Sequence, residues 1–278
     1  MALIQMSLHS QTLMRTVPVV VILPADKQPL PGQPPRGDKP FQTLYLLHGI
    51  FGSCLDWLSG TRIQRYADEK DLAVVMPSGD NAFYVDQPAG GNCYGEFVGR
   101  ELVELTRKMF PLSRAREDTF IGGLSMGGYG AMRNGLKYCG TFGSIICLSG
   151  ALHLEEIAAH TTDDDAFFPA RRSYAEACFG DLSKLLDSDK NPKYLVRELK
   201  KAGKDLPRIY MACGDQDGLL PVNRDMAAFL EAQGADLTFE VGPGRHEWDF
   251  WDTYIKKAIS WLPTDGSGLG VSSGNVGI

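Results

Sequence analysis

One hydroxyl in this 278-residue chain stands out by its surroundings. Gly123-Leu124-Ser125-Met126-Gly127-Gly128 reads G-x-S-x-G, and it falls where the apolar run Thr119-Phe120-Ile121 gives way to a helical pattern beginning near Met126. A serine at such a strand-to-helix turn takes a strained backbone. Small residues two before and two after it let strand and helix approach while Oγ points outward. A Gly-rich helix start without chemistry has the same spelling, and 31 glycines make chance matches common. The strand-to-helix context favours a nucleophile at Ser125.

A serine hydroxyl is a weak nucleophile at neutral pH and needs a base that takes its proton and returns it to a leaving group. Five histidines are available: His9, His48, His153, His160 and His246. His246 sits in Gly242-Pro243-Gly244-Arg245-His246-Glu247-Trp248, between the last expected strand and the last helix, at the edge where parallel-sheet sites collect. It is the preferred base. His9 falls in an opening strand, while His153 and His160 fall in or beside an irregular segment. His48 ends a buried run and opens Gly49-Ile50-Phe51-Gly52, a turn able to aim N–H groups at a developing oxyanion, with the His48 ring as a structural hydrogen-bonding group.

The base needs an acid to hold its tautomer. Cys213-Gly214-Asp215-Gln216-Asp217-Gly218 supplies two aspartates, both ahead of His246. Asp217, deeper in the turn, is preferred, and Asp215 reads as turn-forming. The expected oxyanion donors are the backbone N–H groups of Ile50 and Met126. Trp57 and Trp248 stand nearest these turns in sequence and are the candidates to line a substrate pocket; Tyr84, Tyr129, Phe167, Phe168 and Trp251 are the other aromatics near them. Asp163-Asp164-Asp165 reads as a solvated loop, with no second ligand cluster to suggest a metal.

The elements that position these residues follow from pattern. Leu3–Leu8 and Val17–Leu23 read as an antiparallel pair of opening strands, followed by a Pro-rich surface linker over 24–40. Thr43–Leu47 lacks polar alternation, as a strand buried on both faces does, and Leu72–Met76, Thr119–Ile121, Phe142–Leu148, Arg208–Cys213 and Asp236–Val241 continue the series of short strands. Helical stretches separate them near 62–70, 96–109, 126–137, 221–233 and up to Trp261. That rhythm predicts a mostly parallel sheet buried on both faces. Residues 153–205 break it and read as an insertion, and the Gly/Ser-rich stretch 263–278 reads as a flexible tail.

The 44% hydrophobic content suits one large domain over 1–262. With 28 basic against 34 acidic side chains the net charge is −6, so no basic face is offered to nucleic acid. No apolar run is long enough for a membrane span, and the N-terminus lacks a signal-like pattern. Six scattered cysteines without a C-x-x-C pair argue against a zinc site or a disulfide framework and fit a cytoplasmic protein. The sequence does not set the oligomeric state and is compatible with a homo-oligomer.

Leu46-Leu47-His48-Gly49 with Asp56-Trp57, Gly123 to Ala131, Cys213 to Asp217, and His246-Glu247-Trp248-Asp249-Phe250-Trp251 together resemble the esterase D-like group. That group includes tributyrin esterases, feruloyl and acetylxylan esterases and S-formylglutathione hydrolases. The resemblance runs from the first strands to Trp261. It implies an α/β-hydrolase fold, helices on both faces of the sheet, and a serine carboxylic-ester hydrolase acting on a small-molecule ester without a cofactor. It carries nucleophile to Ser125, acid to Asp217, base to His246 and oxyanion donors to Ile50 and Met126, and it implies a small lid over Leu154–Asp205. S-formylglutathione hydrolases typically place a cysteine close behind the oxyanion-turn glycine, whereas here Cys54 lies further on. The tributyrin and feruloyl types therefore look nearer. The rival readings are S-formylglutathione hydrolysis, feruloyl or acetylxylan ester cleavage, and a non-catalytic binding protein on the same fold.

Overall fold

A computed structural model describes residues 1–28 and 37–266, so part of the Pro-rich linker and most of the Gly/Ser-rich tail lie outside the described residues. The opening runs form β1 (Ala2–Ser10) and β2 (Arg15–Leu23), paired antiparallel with Ala2 opposite Leu23 and Ser10 opposite Arg15. The chain then gives β3 (Thr43–Leu47), α1 (Asp56–Gly60), α2 (Ile63–Glu69) and β4 (Ala73–Pro77). A small hairpin, β5 (Asp86–Gln87) with β6 (Asn92–Cys93), leads into α3 (Tyr94–Glu96). A π-helical turn over Phe97–Glu101 joins α3 to α4 (Leu102–Met109). Next come β7 (Thr119–Leu124), α5 (Met126–Lys137) and β8 (Ser144–Leu148). Sequence periodicity misses α1 and the hairpin because neither is long enough to show a repeat.

The insertion holds three helices, α6 (Leu154–Ala158), α7 (Arg172–Phe179) and α8 (Pro192–Lys201). After it, β9 (Arg208–Gly214), α9 (Leu220–Ala232), β10 (Leu237–Gly242) and α10 (Trp248–Trp261) restore the alternation. Eight strands form one sheet in the order β1-β2-β4-β3-β7-β8-β9-β10. Every pairing from β4 to β10 is parallel, while β1 and β2 add an antiparallel edge.

The absence of polar alternation in β3 has its reason in the packing. Tyr45 and Leu47 belong to one hydrophobic core and Leu44 and Leu46 to a second, and all four are fully buried. The first core takes α4, α5, α9 and the insertion, and the second takes α1, α2 and α10, so helices cover both faces.

Strand order reverses between β3 and β7, since β3 runs on to β4 on one side and β7 to β8 on the other. Open parallel sheets collect ligands outside the carboxyl ends of their strands at such a reversal. The insertion is fastened to α5, the helix that starts there. Tyr129 Oη donates to the Lys190 carbonyl at 2.6 Å, and the fully buried Arg133 guanidinium reaches Asp189 at 2.7 Å and Asp86 at 3.2 Å. Lys137 Nζ reaches the same two carboxylates, Asp86 at 3.2 Å and Asp189 at 2.6 Å, so two cations face two anions and removing either carboxylate leaves one positive charge in excess.

The stretch expected to be loose from 263 makes two hydrogen bonds to Gln42 at its start. Pro263 accepts from Gln42 Nε2 at 3.0 Å, and the Asp265 N–H donates to Gln42 Oε1 at 2.9 Å. The backbone groups left at the end of α10 find a buried amide on the strand side, which composition cannot reveal. Residues 267–278 of that stretch lie outside the described residues.

Candidate active site

Ser125 is the single residue between β7 and α5, at φ 53° and ψ −119°. A non-glycine residue in that region is strained and persists only where its surroundings determine it. Here they do. The Ser125 N–H donates to the Leu148 carbonyl at 2.9 Å, and its own carbonyl accepts from Tyr129 and Ala151, each at 3.0 Å. A Cβ on Gly123 would lie 2.3 Å from the Gly127 carbonyl oxygen, and one on Gly127 would lie 2.5 Å from the carbonyl oxygens of Leu47 and His48. Only glycine allows helix, strand and the end of β3 to approach this closely.

Asp217 and His246 arrive from neighbouring strand ends. The loops after β9 and β10 interlock through the Asp215 N–H to Gly242 O at 2.8 Å and the Gln216 N–H to Gly244 O at 3.0 Å. Asp215 Oδ1 accepts from the Gly244 N–H at 3.3 Å, which spends that carboxylate on the turn. Asp217 instead faces the imidazole, its Oδ2 lying 2.9 Å from His246 Nδ1. His246 Nε2 lies 3.0 Å from Ser125 Oγ. Residues at 125, 217 and 246 therefore form one continuous hydrogen-bonded chain.

Burial pushes the Asp217 carboxyl upward, but the His246 ring, the Leu219 N–H and the Ser149 hydroxyl outweigh it and hold the group below the ordinary aspartate value. An ionised Asp217 keeps the proton on Nδ1 and leaves Nε2 as the acceptor for the serine O–H. Trp251 sets its ring edge-on to the imidazole, centroids 4.9 Å apart, and anchors its own Nε1 on Ser149 Oγ at 3.2 Å. Ser125 is 7% exposed and the His246 side chain 38%, so this hydrogen-bonded pair is open to solvent on the His246 side.

The turn after β3 lies against the same serine. A Cβ on Gly49 would come 3.5 Å from Ser125 Cβ. Phe51 commits its N–H to Asn81 Oδ1 at 2.8 Å. Among the described residues no acceptor takes the N–H of Ile50 or of Met126, the first residue of α5. His48 is fixed as a neutral ring: the Gly79 N–H donates to its Nε2 at 2.8 Å, Nδ1 contacts Gly49 O at 2.6 Å, and burial lowers its pKa.

Trp57 requires a correction. Trp57 is 1% exposed, donates its Nε1 to the Leu47 carbonyl at 3.0 Å, and belongs to the core beneath β3. Trp248 is half-buried, edge-on to Trp57 at 5.6 Å and to Trp251 at 5.1 Å, over a Gly60 that has no room for a Cβ. Trp57 is therefore a packing residue, because nearness in sequence to a strand end does not set the side to which a ring turns, while the half-buried Trp248 packs on Trp251, the ring next to His246. The exposed aromatics beside the Ile50 turn are Phe51, 62% exposed, and Phe167 of the insertion, 57% exposed, with centroids 6.1 Å apart.

Sequence reading also passed over Asn81 and Ser149. Ser149 carried a readable signal only in following a buried strand directly; its φ of 45° becomes visible with the fold. Among the described residues no group of three or more His, Cys, Asp or Glu side chains is arranged to hold a metal, and no helix is long and apolar enough to cross a membrane.

Residues 10–262 match the protein family described as "Putative esterase". An acetyl esterase of Caldicellulosiruptor saccharolyticus is 45% identical over 262 residues, 94% of this chain and 98% of that protein. The fluorophosphonate-binding serine hydrolase F of Staphylococcus aureus superposes with a TM-score of 0.82 at 32% identity, over 95% of this chain and 99% of that one. An S-formylglutathione hydrolase from the same organism gives 0.79 at 33%, over 94% and 98%. The eight-stranded arrangement described above is the α/β-hydrolase fold of these serine hydrolases.

Proposed function

Since the chain belongs to this esterase family, we propose that it is a carboxylesterase that cleaves short-chain acyl esters, acetyl esters foremost, with Ser125, His246 and Asp217 as its triad. The observation that carries the reading is the unbroken relay, Ser125 Oγ to His246 Nε2 at 3.0 Å and His246 Nδ1 to Asp217 Oδ2 at 2.9 Å. Ser125 Oγ attacks the ester carbonyl carbon while His246 Nε2 takes its proton. Asp217 stabilises the imidazolium that forms. The oxyanion receives the N–H groups of Ile50 and Met126, the latter at the positive end of α5. Collapse of the tetrahedral species breaks the C–O bond, and the alkoxide leaves with the proton from His246. Water then repeats the sequence on the acyl-enzyme, releasing the acid and regenerating Ser125.

Residues 1–262 act as one catalytic unit in this reading, and Leu154–Asp205 serves as the lid that shapes the acyl and alcohol sites. The acetyl esterase similarity supports a small acyl group. Thioester hydrolysis of S-formylglutathione is the second reading, supported by the structural similarity to the S. aureus enzyme of that activity. Six free thiols fit residence in the cytoplasm.

The test is hydrolysis of p-nitrophenyl acetate and S-formylglutathione by wild type and Ser125→Ala, with fluorophosphonate labelling. Wild type should label and turn over, and Ser125→Ala should lose ~10⁴-fold or more in kcat while folding normally. Equal turnover by the two proteins would overturn the triad, and an unlabelled, inactive wild type would favour a binding protein.

A further inference from the structure

The Gly49–Gly52 turn holds a residue in a position that suits glycine. Gly52 N–H donates to Gly49 O at 3.2 Å, and Phe51, the third residue of the four, stands at φ 67°. Positive φ at that position, with Ile50 at negative φ, marks a type II turn, which ordinarily takes glycine or asparagine there. Types I and II differ by rotation of one peptide, here Ile50–Phe51, while the turn's ends stay in place. A phenylalanine left to itself favours the other orientation.

One group opposes that rotation. The N–H of the Ile50–Phe51 peptide donates to Asn81 Oδ1 at 2.8 Å, a bond the rotated turn cannot make. Asn81 is itself held from the insertion: its carbonyl accepts from Tyr174 Oη at 2.7 Å and from Cys178 Sγ at 3.4 Å, both on α7. Neighbours on the same loop grip the other end of the turn, Gly79 N–H on His48 Nε2 at 2.8 Å and Tyr84 Oη on His48 O at 3.1 Å. Asp80, Phe83 and Tyr84 all stand at positive φ in this loop, the mark of a segment its surroundings over-determine.

We propose that Asn81 is a positioning residue for ester hydrolysis: its side chain locks the Ile50–Phe51 peptide, and its carbonyl makes that lock depend on α7 of the insertion. The inference rests on the oxyanion role of Ile50 proposed above. The Ile50 N–H belongs to the adjoining Gly49–Ile50 peptide, which the rotation itself leaves in place; without the lock the turn exchanges between its two forms, so this N–H is no longer held in one fixed position beside Ser125. Transition-state stabilisation is then lost while ester binding is little changed.

The experiment compares kcat and KM on p-nitrophenyl acetate for five proteins: wild type, Asn81→Leu, Asn81→Leu/Phe51→Gly, Tyr174→Phe and Asn81→Leu/Tyr174→Phe. Asn81→Leu should lower kcat about tenfold or more, toward the loss seen on removing an oxyanion donor, with KM within about twofold. Glycine at 51 adopts positive φ freely, so Asn81→Leu/Phe51→Gly should regain most of the lost kcat. Tyr174→Phe should cost about threefold on its own and add nothing in the Asn81→Leu background, as expected for two groups acting through one bond. Unchanged kcat in Asn81→Leu, a loss confined to KM, no recovery with glycine in a folded double variant, or additive effects with Tyr174→Phe would each overturn the proposal. Should Asn81→Leu not fold, Asn81→Ser replaces it, since the shorter side chain cannot span to Phe51. Ser125→Ala run in parallel keeps the two readings apart. Lost Ser125 dependence sinks the triad, whereas retained Ser125 dependence with indifferent Asn81 variants sinks only the lock.

Discussion

At the strand ends that carry Ser125, Asp217 and His246, backbone lies against backbone. A Cβ added at Gly123, Gly127 or Gly214 would meet a carbonyl oxygen at 2.3, 2.5 or 2.4 Å, with no side chain to swing aside. Across from them, the 153–205 insertion is held by side chains. Phe168 rests edge-on to Tyr174 at 4.9 Å, Arg133 reaches Asp189, and Phe167 stands mostly in solvent. Main-chain contacts at van der Waals limits have one solution. Ring and ion-pair contacts have several of similar energy, so under the proposed function the first region would fix chemistry and the second would be free to vary what is bound.

The sharpest test of the rigid side is Asp217→Asn. The amide fits the carboxylate's space but gives His246 the wrong hydrogen-bonding partner, so kcat should fall by ~10³ to 10⁴ with the thermal midpoint little moved. Activity close to wild type would mean that the imidazole is held by packing on Trp251 alone. Gly127→Ala comes next. Its Cβ must displace the carbonyls of Leu47 and His48, and we expect ~1–3 kcal/mol of destabilisation by denaturant titration together with a lowered kcat. Gly140→Ala is the control, because a Cβ there meets nothing within 4 Å and its stability should stay within about 0.5 kcal/mol. Equal effects of the two glycine substitutions would break the contrast.

The difference also explains which parts were legible in the sequence. The Ser125 turn and the aspartate and histidine loops announce themselves because glycine, proline and strand-end position record backbone geometry directly. The buried strands from Thr43 to Cys213 likewise read off their apolar runs, whereas β10 is half-buried and alternates polar with apolar residues. Trp57 did not read correctly, because which face of α1 a ring occupies depends on the elements packed opposite. Asn81 was invisible for a similar reason: a polar residue in a loop after β4 has no pattern, and its partner Phe51 lies 30 positions away.

For the insertion, substitution should change selection and leave chemistry alone. Phe167→Ala should keep kcat on p-nitrophenyl acetate within about twofold and stability within about 0.5 kcal/mol, as for an exposed side chain. Its KM should rise a few-fold for esters with a bulky or aromatic group able to rest on Phe51 and Phe167. A loss of kcat on the smallest ester would instead tie this ring to the reacting centre.

The smallest effect separates the regions by pH. His48 in the platform and His153 at the start of the insertion both have pKa values pushed down, in each case chiefly by burial. A histidine depressed below its ordinary value of about 6.5 stabilises the fold fully above that value, where folded and unfolded rings are both neutral. As pH falls, the unfolded chain takes up the proton first, and stability declines until the folded pKa is passed, by at most about 1.4 kcal/mol per pH unit per group. For His48 the proton would also evict the Gly79 N–H from Nε2, so the loss should appear in global unfolding between pH 7.5 and 5.5 and be reduced in His48→Gln. His153 has no partner on Nδ1 among the described residues, so its protonation should loosen the insertion first. Hydrogen exchange should then rise within 154–205 at pH 5.5 while the strands of the sheet stay protected, and His153→Gln should remove that rise. If both variants flatten the same global transition, the insertion and the platform open as one unit, and the distinction between fixed chemistry and adjustable recognition does not extend to stability.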